Sequence, residues 1–525
     1  MLDDAAQRAP DRVFLVERDA RRRWRQIGFA TAAKRTRRIA AALRALGASE
    51  TRPLMILSGN GIDHALLALG AARAAIPVAP IDASLGLTAH GVERLRAIAD
   101  VVRPAVVFAR DGAAYASAVR AIVSDAAFVS VSAPPAGMRS FDYARLLAHA
   151  PLPDGEIAVD GDTVAKLMFG SDPQDEVAAV VVTHGMIAAM LQGLTQAWPF
   201  LGRRPPVIVD GLPWSGALGG NVVLGVALRH AGTLHIDVDA AQSPARAAQL
   251  RAELGPTLAF DVPFGWALWV EQLRADDALR LRWLAQLDLA CWSGAPMAPS
   301  TRDALCAIGV PLAALWGSTA TAGAACATTA GAPKFDAIGP PLAGVELALV
   351  PAGDAYDARV RGPQLTTGYY WRPDLTANAF DEEGFLRTGD LVRPIDARAP
   401  QRGLEYAGRI DGRFKLSNGA WVRAPELRAA FLAECSDVSD VLVSGQGADE
   451  VGLLVQPAAD AASLDHDLLR AQVVAAMRRV ASGAATAGAP LRALILDRPA
   501  ARQSRTPADV ARLHASEPDA DVIVL

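Results

Sequence analysis

The sequence predicts an α/β protein of two domains, the larger carrying parallel sheet and the smaller mixing strands with helices. Three observations predict it. At 525 residues the chain is too long for one hydrophobic core. The stretch RPLMILSGNGIDHALLALGAARAAIPVAPI alternates strand, Gly-Asn turn, helix and strand, which is a βαβ unit of a parallel sheet. The stretch from Lys166 to His184, KLMFGSDPQDEVAAVVVTH, frames an apolar strand, a polar turn, a second apolar strand and a Thr-His pair opening a helix. Strand, loop, strand and helix in that order are a common way to present a phosphate cradle.

Taken in order, Val13 to Val16 reads as a short strand. A basic amphipathic helix follows from about Ala30 to Leu46, with Lys34, Arg35, Arg37 and Arg38 on its solvated face. His64 lies on the helix of the βαβ unit, where packing is its expected role. VVRPAVVFA and AAFVSVS continue the strand pattern. Leu167 to Phe169 and Val177 to Val182 are the two strands around the polar turn. Next, PPVIVDGLPWSGALGGNVVLGVALRHAGTLHID gives strand, turn, glycine-rich corner, helix and strand. Glycines at that corner let a helix approach the sheet closely, a reading that stands beside a ligand role. From Ile338 on, alternating apolar positions suit a β-rich subdomain. The last part shows strands at Val441 to Ser444, Val451 to Val455 and Leu491 to Leu496.

Composition limits the function. The formal net charge is −4, which gives no electrostatic case for nucleic acid. No apolar run reaches the roughly 18–20 residues that span a bilayer, and the N-terminus lacks a leader pattern. Cys291, Cys306, Cys326 and Cys435 show no metal spacing and read as buried free thiols of a reducing cytoplasm. Lys34, Lys166, Lys334 and Lys415 are the only lysines, so any lysine-dependent step has four candidates.

The Lys166–His184 frame resembles the phosphate-loop motif of the adenylate-forming superfamily, the acyl-CoA synthetases, which reads roughly F-T-S-G-S-T-G-x-P-K-x-V-x-x-T-H. Phe169 to His184 lies on that pattern without a gap, but its loop chemistry is replaced. Asp172 and Asp175 stand at two glycine positions, Val177 at the proline and Ala178 at the lysine. GGN, IGPP, RVRGP, GYYWRP, LTANAFDEEG, TGDL and GRI carry the resemblance along nearly the whole chain, on a spacing similar to the feruloyl-CoA synthetase branch. The resemblance implies the adenylate-forming fold. A large N-terminal domain with parallel sheets and a β-rich subdomain, residues 1–408, would precede a small mobile α+β domain, residues 409–525, hinged near Asp411.

The resemblance also implies roles. Thr319 corresponds to a phosphate-contacting threonine, and Ala320 stands where the family places a glutamate that holds magnesium. Asp390 corresponds to the aspartate that binds both ribose hydroxyls, and Arg409 to an arginine that meets phosphate. Asp390 is equally open to a structural reading, a turn cap or a pair with Arg409. Trp214, Gly219, Gly220, Trp292, Gly294, Ala295, Trp316 and Gly317 fall at acyl and adenine pocket positions, and core packing is the competing reading for Trp292. The late lysine that clamps the acyl phosphate has no counterpart among residues 416–525, and arginine differs from it in fork and stem.

An acidic loop with Asp172, Asp175 and Glu176 and no lysine repels a triphosphate. The expected function is therefore an acyl-CoA synthetase-like protein that has lost ATP-dependent adenylation and binds or transfers an activated acyl group. The alternatives are a non-catalytic protein binding a small acid, an adenylate or a partner ligase, and an acid–CoA ligase with relocated chemistry. His184, Cys326 and Ser318 are the candidate nucleophiles or bases. No metal site and no magnesium ATP are expected. The expected ligand is a small acyl group, carried on CoA, pantetheine or a carrier protein, with an apolar or aromatic body suggested by the pocket tryptophans.

Overall fold

A computed structural model describes residues 1–525 apart from 20, 123–124, 136, 139, 154, 171–175, 241–242, 332–336, 399–402, 436, 458–465, 482–483, 487, 497–512 and 515–521. Asp172 and Asp175 therefore lie outside the described residues, as does Lys334.

Two large sheets form the body of the molecule. The first runs 326–327, 312–316, 289–292, 258–261, 207–210, 233–236, 13–18, 24–28 in spatial order. Its inner strands are parallel and both edge strands antiparallel. The second runs 140–142, 127–130, 106–108, 54–56, 78–80, 164–169, 179–183, parallel up to its antiparallel last pair. One apolar cluster joins the sheets. It takes Leu15, Ile208 and Leu234 from the first sheet, Leu54, Val78 and Val182 from the second, and Leu66, Met190, Leu191 and Val226 from helices. Strands covered on both faces read as continuous apolar runs, as VVF and LAALW do.

An antiparallel sheet of Glu346–Ala352, Ala355–Arg361, Leu386–Pro394 and Leu404–Arg409 packs its own core around Trp316, Ala358, Val360 and Val392. The remaining chain builds a hairpin, Arg413–Lys415 with Trp421–Arg423, and a mixed sheet of Val438–Ser444, Val451–Pro457, Leu491–Ile495 and Val522–Val524. Its apolar cluster runs from Phe414 to Ile523.

Local differences from the sequence reading have physical causes. The basic helix is Phe29–Ala45, and three of its four named cations are exposed. Arg37 is only half-exposed, its guanidinium 3.8 Å from Asp3. The strand expected from Val177 is Ala179–Thr183, because its ladder ends at the Phe169–Ala179 pair. Thr183 then caps the helix His184–Ala197, its hydroxyl accepting from the Met186 N–H at 3.2 Å. The glycine-rich corner becomes a π-helix, Leu218–Val223. A Cβ at Gly219 would sit 2.5 Å from the Leu212 carbonyl oxygen, so only glycine lets this helix close on the LPW turn.

Candidate functional site

A cavity of about 360 Å³ lies where the two antiparallel units meet the carboxyl ends of parallel strands, the usual place for ligands in open α/β sheets. Its first wall is the end of Leu289–Trp292 with Gly294 and Ala295, and the end of Leu312–Trp316 with Gly317, Ser318, Thr319 and Ala320. The β-rich sheet supplies Asp390, Tyr406 and Arg409. The hairpin supplies Arg413, Lys415 and Trp421.

Asp390 is the polar centre of this cavity. Its Oδ2 accepts from the Trp316 indole Nε1 at 3.0 Å and its Oδ1 from Arg409 Nη1 at 2.8 Å. Burial pushes its carboxyl upward, and the charge of Arg409 and the Trp316 bond only partly offset that. Arg409 is held charged: burial opposes its cationic form, and Asp390 and Asp411 overcome burial. Around the Trp421 ring stand Arg409, Arg413 and Lys415, their cationic centres 5.3, 5.2 and 4.8 Å from its centroid. Burial lowers Lys415, with Asp390 opposing. One carboxylate, three indoles and three cations suit a ligand with an anionic group and a flat or apolar part.

Ala320 offers a magnesium ion no side-chain ligand. Ala320 ends in a methyl where a carboxylate would be needed, its carbonyl accepting from the Thr366 N–H. Among the described residues no cluster of three His, Cys, Asp or Glu could hold a metal.

The expected site residues separate into groups. Trp292, Gly294, Ala295, Trp316, Gly317, Ser318, Thr319, Ala320, Asp390 and Arg409 share the first cavity. His184 and Gly220 line a different cavity of about 670 Å³. Trp214 is buried in the main core edge-to-face with His64, and Gly219 packs against backbone. His64 is a packing residue whose Nδ1 meets the Gly59 carbonyl at 3.2 Å. Of the nucleophile candidates, Cys326 is a core residue whose thiol burial pushes up to about 12, and Ser318 and His184 stand in separate cavities. They form no dyad. Asp411 lies between strand and hairpin, accepting from Arg413 Nε at 2.9 Å. Ala178 is half-buried beside the strand end.

Lys415, Trp421, Arg413 and Tyr406 escaped the sequence reading as site residues. Scarcity of lysine was the one signal that pointed to Lys415.

Solved structures share this architecture. A malonyl-CoA ligase, described as a ternary product complex with methylmalonyl-CoA and AMP, is 24% identical, with a TM-score of 0.65 over 94% of this chain and 97% of that one. ATP-bound MatB of Rhodopseudomonas palustris is 20% identical, with a TM-score of 0.66 over 97% of each chain. At such identities the likeness establishes the fold. A chloroplastic long-chain-fatty-acid–[acyl-carrier-protein] ligase of Arabidopsis thaliana is 30% identical over 165 residues, 29% of this chain and 23% of that protein. An acyl-CoA synthetase of Alternaria alternata is 34% identical over 170 residues, 30% of this chain and 27% of that protein. These matches thus span about a quarter of those relatives' own length. The family model described as AMP-binding enzyme matches residues 2–370 and shows that the chain belongs to the AMP-binding enzyme family.

Proposed function

We propose that this protein has lost efficient ATP-driven adenylation and binds or transfers an acyl group already activated as a thioester. Ala320 carries the reading: the position that faces a triphosphate's metal in the resembling family offers no side-chain oxygen, and its carbonyl already accepts from Thr366. The acidic loop residue Asp175 and the uncharged Ala178 support it, whereas the charge of Glu176 is taken up by Arg372. Losing one preorganised charge-stabilising group typically costs roughly 10²–10³ in rate, and such losses do not simply add. In a transfer the acyl C–S bond breaks, the thiol leaves, and the incoming nucleophile gives up its proton. CoA, pantetheine or a carrier protein is the thiol carrier in this reading, within a feruloyl-CoA synthetase-like branch.

The ligases among the relatives and solved structures keep a second reading in play, an acid–CoA ligase with relocated chemistry. Lys415 favours it, because its ammonium borders the same cavity as Asp390. Acid-dependent ATP–pyrophosphate exchange separates the two. The proposal expects none at a ligase-like rate. Robust exchange with an aryl or fatty acid, abolished by Asp390→Ala, would establish the ligase. Calorimetry with magnesium ATP, an acyl-CoA and a nonhydrolysable acyl-adenylate gives an independent check. Binding of the acyl ligands in preference to ATP is expected; micromolar ATP binding with none for the acyl ligands refutes the proposal.

A further inference from the structure

A third cavity, about 270 Å³, shares no lining residue with the other two. It lies at the carboxyl ends of three neighbouring parallel strands, Leu258–Asp261, Val207–Asp210 and Thr233–Ile236. Each strand end brings it a carboxylate. Asp261 and Asp210 close their strands, and Asp237 follows its own. The helices Pro244–Leu254 and Pro263–Ala275 supply the facing wall with Arg251, Phe264, Leu268 and Trp269.

The three carboxylates are not equivalent. Asp261 is fully used: its Oδ1 accepts from the Val262 N–H at 2.9 Å and its Oδ2 from the Trp269 indole at 3.3 Å. Asp210 is half used. Its Oδ2 accepts from the Leu212 N–H at 3.0 Å, while its Oδ1 is buried with no hydrogen-bond partner among the described residues. Asp237 repeats that pattern, with Oδ1 accepting from Arg246 Nη2 at 2.6 Å and Oδ2 buried and unpartnered among the described residues. The two side chains belong to residues only 2% and 6% exposed. Bulk water therefore does not supply the missing donors, and a buried acceptor left open costs free energy.

Arg251 does not supply them either. Its guanidinium lies over the Trp269 ring, 4.2 Å from the centroid, and acts on the three carboxylates by charge alone. Three carboxylates stand against two guanidiniums, those of Arg246 and Arg251, so the fully ionised set carries one uncompensated negative charge. Burial, then the charge of Asp261, pushes the Asp210 carboxyl well above the usual range, with Arg251 in partial opposition. A ligand that brings one positive charge and N–H donors removes both penalties together. Among the described residues no cluster suits a metal ion, and the apolar side chains of Pro213, Phe264 and Leu268 favour a cation with a hydrocarbon body.

We infer that this cavity binds a small organic primary ammonium ion, its N–H groups meeting the carboxylates of Asp210 and Asp237 and its carbon body lying against Phe264 and Leu268. An ammonium offers three donors and no acceptor, which complements open carboxylate oxygens. The site goes beyond the acyl reading and uses none of its residues.

The test is calorimetry on the full chain at pH 7 with benzylammonium chloride and, as its uncharged counterpart, benzyl alcohol. Benzylammonium is expected to bind about tenfold more tightly, as charge-assisted hydrogen bonds require. Asp210→Asn and Asp237→Asn, each close in volume to the residue replaced, should each weaken benzylammonium about fivefold and leave benzyl alcohol unchanged. Equal binding of the two ligands by the unaltered protein, or benzylammonium affinity unchanged in both variants, would overturn the site. A crystal of the unaltered protein soaked with 4-bromobenzylammonium locates the ligand even if the variants fail to fold. An anomalous bromine peak beside Phe264 and Leu268 is expected, and peaks only elsewhere would refute the assignment. No ATP, thioester or acyl transfer enters these measurements, so their failure would leave the reading of the first cavity untouched.

Discussion

Asp390 is held by protein donors on both of its carboxylate oxygens. Its oxygens are taken by Trp316 and Arg409, so a ligand hydroxyl must compete with protein donors already in place. Arg409→Met leaves a buried carboxylate with a single indole partner. Stability is expected to fall by about 3 kcal/mol, read by urea denaturation. Buried histidines contribute to the acid limb of stability. Burial holds His64, His230 and His235 at about 4, below their usual 6.5. The unfolded chain therefore binds more protons below pH 6.5. Stability is full above that pH and falls as pH drops from 6.5 through 4. His64→Gln should flatten this limb in melting curves against pH, and an unchanged slope would refute the assignment to His64.

Among the elements, the corner after the LPW turn was legible as glycine-rich, and its close-packing role follows from the Gly219 contact with Leu212. Its π-helical winding was not legible, because the extra residue per turn is set by what the helix packs against. Gly219→Val is expected to destabilise by roughly 1–3 kcal/mol through forced backbone displacement, measured by chemical denaturation. The Thr183 cap was visible as Thr-His before an apolar run. Thr183→Ala should lose about 1 kcal/mol, and no loss would show that tertiary packing alone holds the helix start. The edge strand Trp24–Gly28 was not anticipated; its register comes from the neighbour Val13–Arg18.

For the molecule as a whole, we propose that residues 409–525 move as a unit on 1–408 about Asp411. The apolar cluster from Phe414 to Ile523 includes no residue before Phe414, and the hairpin of that unit closes the first cavity. Two calorimetric unfolding transitions are expected, and a single two-state transition would refute the division. Among the described residues no helix is long and apolar enough to cross a membrane. What the sequence by itself determined is the α/β class, the βαβ unit from Leu54 to Pro80, and which residue types stand at the motif positions the resemblance singles out. Those are local properties: apolar periodicity, turn chemistry and the identity of a side chain within a motif. Only the tertiary structure decided which of those residues meet. It placed Ser318 and His184 in different cavities, sank Cys326 into a core, and brought Lys415 and Trp421 beside Asp390. It also brought Asp210, Asp237 and Asp261 from three strand ends to one cavity. Burial and separation across the chain depend on how sheets and helices pack, and no short stretch of sequence records that.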